Sequence, residues 1–450
     1  MKSVDLFVGV IYAICILLIG IYYANRRFSE EPSIRRNFIL SLFFKLFSAI
    51  VFGCLYQYYY NYGDCIIYYK AAKEYLSYLI SHPGSVIDFI FLDQKMLNDK
   101  YRIIIDNSSF IYDYFNNSNI FIHKIVLFLG VFGGYLFFPI CVLFALISFI
   151  GCWKIYRTLS KLYPEYQNYF KISFLYLPSL VFWTAGIGKD AICVGFINLF
   201  ASLIIEAYVF KNNTIKNTLL CLWLLYIVYV IKSYIVFSFA PLFIFFIFSV
   251  QVKKIAERSK RFFVWLAFFI FSTAAGTYLL FNNTLVESVR SEILTNAFHL
   301  TQGQQNLESG NDSKYDLGIT LDDIKSQNVR PYILSSIEVA LFRPYAWEVT
   351  KPIILLSFVE SCFFLLFTIY VFVRGYLFKP LGIIFKNKLV LFCVLYSILF
   401  AFFVGLVSAN FGTLIRYKTP FISYFLIALF IIKDRLTSGN AVSPPEFKSN

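Results

Sequence analysis

Four short stretches of this sequence set charged and aromatic side chains against strongly apolar runs. The first is "YYYNYGDCIIYYKAAKEYL", where Asp64 follows Gly63. A carboxylate there could act as a general base, or hold a sugar hydroxyl or a metal ion. It equally suits the cap of a helix beginning at Cys65. The second is "FWTAGIGKDAI", with Lys189 beside Asp190. Neighbours on a helix point about 100° apart, so each is expected to seek another partner. Lys189 would turn toward phosphate, and Asp190 toward a sugar hydroxyl or a nearby arginine. The plain alternative is a solvated loop between two spans.

The third stretch, "VRPYILSSIEVALFRPYAWEVTKP", carries Arg-Pro-Tyr twice, at 330–332 and 343–345. Proline disfavours helix at each preceding arginine. Arg343 offers bidentate phosphate binding. Trp347 offers a face for a sugar ring, with Glu348 beside it. Interfacial anchoring by the same aromatic and basic residues is the competing explanation. The fourth, "SANFGTLIRYKTPF", contributes Arg416 and Lys418. A carboxylate base with cations placed for a departing diphosphate suits transfer from a lipid-linked sugar. In that scheme Asp64 and Asp190 are the catalytic candidates. Lys189, Arg343, Arg416, Lys418, Trp347 and Glu348 bind substrate.

The elements that must position these residues are membrane helices. Of the 450 residues, 59% are hydrophobic and 15% charged, against about 25% charged in globular proteins. Apolar runs of roughly 18 to 25 residues recur along the chain, each long enough to cross a bilayer. The fold class expected is an all-α, polytopic integral membrane bundle of about eleven spans. They fall at about 5–23, 38–57, 131–153, 170–186, 191–209, 217–231, 234–250, 262–281, 353–375, 388–408 and 420–433. Residues 1–433 then form one transmembrane domain with two long external loops, about 58–123 and 282–351, carrying surface helices. Residues 434–450 form a polar cytoplasmic tail. Basic connectors such as "NRRFSEEPSIRR" and "RGYLFKPLGIIFKNK" put the amino terminus outside and the carboxyl terminus inside. All four stretches then share the outer face, with Arg416 and Lys418 running against the positive-inside trend. The first helix lacks a basic leader and a small-residue cleavage site and is expected to be retained.

The net charge of +14 gathers in short connectors between spans, which speaks for topology and anionic lipid and against nucleic acid. Eight of the nine cysteines sit in or beside apolar runs, and Cys65 falls in an external loop. No disulfide framework, CxxC pattern, P-loop or GxGxxG is present. Lys232, Arg290, His82, His123 and His299 are also assigned to the outside, the scattered histidines without a role. No cofactor or metal is expected, although Asp64 could accept a divalent cation.

At these residues the sequence resembles bacterial envelope-polysaccharide membrane enzymes. "GDCIIY", "GKDAICVGF" and "LIRYKTP" are similar to motifs of Wzy-type O-antigen, capsule and exopolysaccharide polymerases, with lysine at 189 where arginine is more usual. An acidic residue close to the membrane in a first long external loop, here Asp64, also resembles the GT-C class of lipid-linked-sugar glycosyltransferases. The extra first span and the missing soluble carboxyl-terminal domain depart from many GT-C members. The resemblance implies a glycosyltransferase of the bacterial inner membrane, acting at its outer face on polyprenyl-diphosphate-linked glycan. Membrane lipid and other polysaccharide-assembly proteins would be its partners, with no nucleic acid. The rivals are a flippase or exporter of lipid-linked sugars and a scaffold for envelope assembly. Charges placed at span ends, rather than inside several spans, favour the enzyme.

Overall fold

A computed structural model describes residues 2–92, 117–252, 257, 259–260, 330–349, 352–408 and 410–438. The expected span at 262–281, Arg290, His299, "TQGQQNLESGNDSKYD", part of each long loop and most of the tail lie outside the described residues. Every described element is a helix: α1 Lys2–Arg27, α2 Pro32–Cys54, α3 Asp64–Ser81, α4 Val86–Phe91, α5 Asn117–Phe132, α6 Phe137–Leu162, α7 Gln167–Lys171, α8 Pro178–Trp183, α9 Lys189–Ile204, α10 Thr214–Ile231, α11 Ser233–Val252, α12 Ile333–Phe342, α13 Pro352–Arg374, α14 Phe378–Lys386, α15 Lys388–Val407, α16 Phe411–Tyr417 and α17 Thr419–Ser438, with short 3-10 and π segments between some of them.

Among these residues, eight helices are long and apolar enough to cross a membrane, or nine if the bent pair Phe411–Tyr417 and Thr419–Thr437 counts as one span. This is an all-α protein of membrane-spanning character. The expected span at 170–186 is not a continuous helix. Residues 167–183 form α7, a π segment at Ile172–Tyr176 and the short α8. Pro178 cannot donate a backbone hydrogen bond and starts a new helix instead of continuing one. The expected last span at 420–433 lies within the continuous α17, which meets the short α16 before it at a bend of 63°. Elsewhere the boundaries follow local chemistry. Pro32 opens α2, Asn387 accepts from the amides of Leu389 and Val390 at the start of α15, and Asn410 caps α16 through Thr413 N.

The described chain divides into two compact units. The first comprises residues 1–159, 174–203 and 218–233. Here α1 packs on α2, α2 on α8, and α3 on α5. Asp5 accepts from the amides of Phe137 and Phe138, both at 3.1 Å, and so caps α6 from another helix. Helices α6 and α9 meet backbone to backbone at Gly151 and Gly195. A Cβ on Gly195 would lie 2.8 Å from Ile147 O, and one on Gly151 would overlap Gly195 O. Small residues permit such close approach where lipid leaves little hydrophobic drive between helices. A buried hydrogen bond of 2.7 Å between Thr158 and Ser202 adds a polar tie.

The second unit comprises residues 160–173, 204–217 and 234–450. Its core is aromatic. Phe239 meets Tyr396 edge-on at 4.9 Å, and Phe392 and Tyr424 pack against the same pair. Helix α15 packs on α12 and α17, and Gly405 gives the backbone of Ser336 its space.

Gly151→Ala is expected to destabilise the first unit by about 1–3 kcal/mol, since backbone on the facing helix has to move. Thermal unfolding in detergent tests this, and an unchanged midpoint would contradict the close crossing.

Candidate functional site

In the first unit, the chain leaves α8 through a bend at residues 184–188 and enters α9 at Lys189. Several groups fix that bend. Thr184 Oγ1 donates to Leu180 O at 2.6 Å, and Ser148 Oγ donates to Thr184 O at 2.8 Å. The Lys45 ammonium donates to Val181 O at 3.0 Å and to Thr184 Oγ1 at 2.5 Å. A cation on the last carbonyls of a helix complements its dipole. Gly186 lies against the ring of Phe52, where a Cβ would overlap.

The two adjacent charges then diverge. Asp190 is buried and receives the Lys232 ammonium at 2.6 Å, an ion pair almost wholly withdrawn from solvent. Lys189, half-buried, donates to Ser118 Oγ at 2.6 Å near the start of α5. Their separation on the helix, not a mutual contact, sets the geometry, and the partner of Asp190 is a lysine. Lys232, expected in an external turn, is turned inward by this pair. His123 lies further along α5, buried between the rings of Tyr68 and Tyr75 at 5.5 and 5.7 Å. Neither of its ring nitrogens has a hydrogen-bond partner among the described residues. Tyr68 donates to Asn119 at 3.0 Å.

Asp64 is the first residue of α3 rather than its cap. Gly63 takes the cap position at φ 128°, with Tyr56 against it. The carboxylate is half-buried in the first turn, where the helix dipole favours negative charge. Cys65, assigned to the same external loop, is buried one residue on.

In the second unit, residues far apart in sequence converge at the end of α12. The two Arg-Pro-Tyr triplets behave differently. Arg330–Tyr332 is a 3-10 turn leading into α12, whereas Arg343 ends that helix in extended conformation. Glu348 pairs with the Arg343 guanidinium and also accepts from Tyr345 N at 2.8 Å. Tyr345 donates its hydroxyl to Glu338. Burial first, then the hydrogen bond to Glu338 and its charge, push that hydroxyl up to about 12, with Arg343 opposing. It therefore stays a donor at neutral pH. Trp347 is 81% exposed, its ring 4.9 Å from that of Tyr345. The Arg343 guanidinium also lies over the Phe411 ring at 5.6 Å.

Arg416 and Lys418, expected as a phosphate-binding cationic pair on the outer face, part company. Lys418 turns inward and donates to Arg343 O at 2.5 Å and Ser361 Oγ at 3.3 Å. Arg416 is half-buried on α16. The burial of Lys418 makes it a positioning group for the Arg343 backbone rather than a surface phosphate ligand. The structure thus brings Lys189 together with Ser118, Asp190 with Lys232, and Arg343 with Glu348 and Lys418. Sequence reasoning missed Lys45, Glu338, Ser361 and the capping role of Asp5. A single lysine in an apolar run was the available signal for Lys45. Comparison with family models, with curated proteins and with solved structures finds no match for this chain.

Asp190→Ala leaves the Lys232 ammonium buried without its counter-charge and is expected to cost about 3–5 kcal/mol of stability. Asp190→Leu with Lys232→Met removes both charges and should recover much of that loss in a detergent melt. If the double variant is no more stable than Asp190→Ala, the pair is not what holds these helices.

Proposed function

We propose that this chain is a glycosyltransferase of the polysaccharide-polymerase type. It joins polyprenyl-diphosphate-linked sugars or repeat units at the outer face of a bacterial cytoplasmic membrane. The observation that carries the reading is the cluster at the end of α12. Arg343 is held by Glu348, Tyr345 is held by Glu338, and the exposed Trp347 stands beside them. An oriented guanidinium suits a diphosphate, and an adjacent indole face suits a sugar ring. The eleven-span topology with the amino terminus outside belongs to the same proposal, as does the likeness to Wzy-type polymerases. GT-C type transfer of a single sugar is its nearest variant.

In the reaction, the acceptor hydroxyl attacks the anomeric carbon of the donor, and the bond from that carbon to the diphosphate oxygen breaks. A carboxylate takes the hydroxyl proton, and the polyprenyl diphosphate departs with the electron pair of the broken bond. The roles are assigned residue by residue. Within the first unit Asp64 is the candidate base and Lys189 a candidate ligand of phosphate; within the second, taken by itself, Arg343 and Arg416 are candidate ligands of phosphate. Asp190 and Lys418, both buried against protein partners, serve as positioning groups.

One observation favours a transporter of lipid-linked glycans as the second reading. Lys45 sits midway along the span Pro32–Tyr60, buried. Ionisable groups inside spans often mark substrate or ion pathways, and the expectation that charge is confined to span ends fails there.

Asp64→Asn and Arg343→Ala should each insert normally yet reduce long-chain glycan by about 10²–10³-fold, the usual cost of losing a group that acts in the transition state. Gel ladders from cells carrying each variant provide the test. Normal ladders from both would sink the enzyme reading, and loss in Lys45→Met alone would favour transport.

A further inference from the structure

Helix α14, Phe378–Lys386, links two membrane-spanning helices, one ending at Arg374 and the other starting at Lys388. It is too short to cross a bilayer itself, and its neighbours place both its ends at a membrane border. It presents three distinct faces. Pro380 and Ile384, four residues apart, are buried against the protein, where α14 packs on α15 and α17. Phe378, Leu381 and Phe385 repeat at helical spacing on a second face, with exposures of 82%, 43% and 67%. Lys379 and Lys386, seven residues apart, are exposed on a third.

The turn leading into α14 adds to the exposed apolar surface. Tyr376 and Leu377 both take positive φ, 50° and 58°, a conformation that side-chain-bearing residues adopt only when their surroundings impose it. The result projects both side chains outward, at 79% and 59% exposure. Charge along this stretch of sequence is of one sign, the carboxylate Asp434 being carried by the neighbouring α17. Arg374, Lys379, Lys386 and Lys388 fall within fifteen residues, and the sequence has no Asp or Glu between Glu360 and Asp434. An apolar face flanked by cations, at the ends of two spans, is the arrangement of an interfacial helix on an anionic leaflet.

We infer that α14 is a binding site for anionic phospholipid. Phe378, Leu381 and Phe385 sit among the acyl chains, while Arg374, Lys379, Lys386 and Lys388 hold the phosphodiester headgroups. The basic groups distinguish this from simple burial in lipid, because a zwitterionic headgroup gives them no net negative charge to neutralise. The site is independent of the proposed glycan chemistry and stands or falls separately from it.

The test uses the full chain purified in detergent and exposed to mixed micelles of dioleoylphosphatidylglycerol or dioleoylphosphatidylcholine. Bound lipid is counted by native mass spectrometry, and the unfolding midpoint is measured alongside. The natural protein is expected to retain phosphatidylglycerol preferentially and to gain thermal stability from it. Lys379→Gln with Lys386→Gln and Lys388→Gln should lower that preference by roughly tenfold or more, since each basic side chain near an anionic surface contributes separately. The corresponding Lys→Arg variant should keep it, which separates lost charge from damaged folding. Equal retention of the two lipids by the natural protein would overturn the inference. So would an undiminished preference in the Gln variant, or a change in oligomeric mass without a change in lipid retention, which would assign the face to a second copy of the chain.

Discussion

A charge or backbone polar group buried among apolar helices has to find its partner inside the protein, and this constraint organises both units. The buried Asp190–Lys232 pair is its clearest expression. Either group alone would be costly there, and together they tie the start of α9 to the end of α10. Lys45 meets the same demand without a carboxylate, by placing its ammonium on the carbonyl of Val181 and the hydroxyl of Thr184. Asp5 does so for the first amides of α6. In each case a single ionic side chain satisfies a broken or newly started helix. That is how irregular backbone becomes tolerable in so apolar a chain.

The second unit uses the same economy near Arg343. Extended backbone at the end of α12 exposes a carbonyl, and Lys418 and Ser361 cover it. The guanidinium of the same residue is held by Glu348. One residue therefore joins backbone support on one side to charge recognition on the other. Trp347, by contrast, is left open on the surface. The cluster thus sets a fixed cation beside an exposed indole, the pairing on which the proposed glycan-binding role rests.

Much of the architecture was legible in the sequence, because continuous apolar runs report helix length directly. The divergence of Lys189 and Asp190 also followed from their adjacency on a helix. What was not legible depended on backbone geometry or long-range contact. The run at 170–186 is apolar enough to read as a span, but hydropathy does not register that Pro178 begins a new helix. Lys45 gives little sequence signal, because one lysine scarcely alters the hydropathy of a long window. Lys418 suits phosphate on sequence grounds because nothing local announces an acceptor at Arg343, 75 residues away. The helix starts at Asp64, one position before the start expected at Cys65, since Gly63 and Asp64 both suit a helix start and only the positive φ at 63 separates them.

We propose that this membrane protein makes glycosidic bonds. The most direct measurement is reconstitution of the purified chain into vesicles with a defined polyprenyl-diphosphate-linked repeat unit, followed by mass spectrometry of the lipid-linked products. Dimers and longer oligomers of the repeat unit are expected, with one polyprenyl diphosphate released for each bond made. Repeat units that change leaflet but stay monomeric, or that show no change at all, would contradict it.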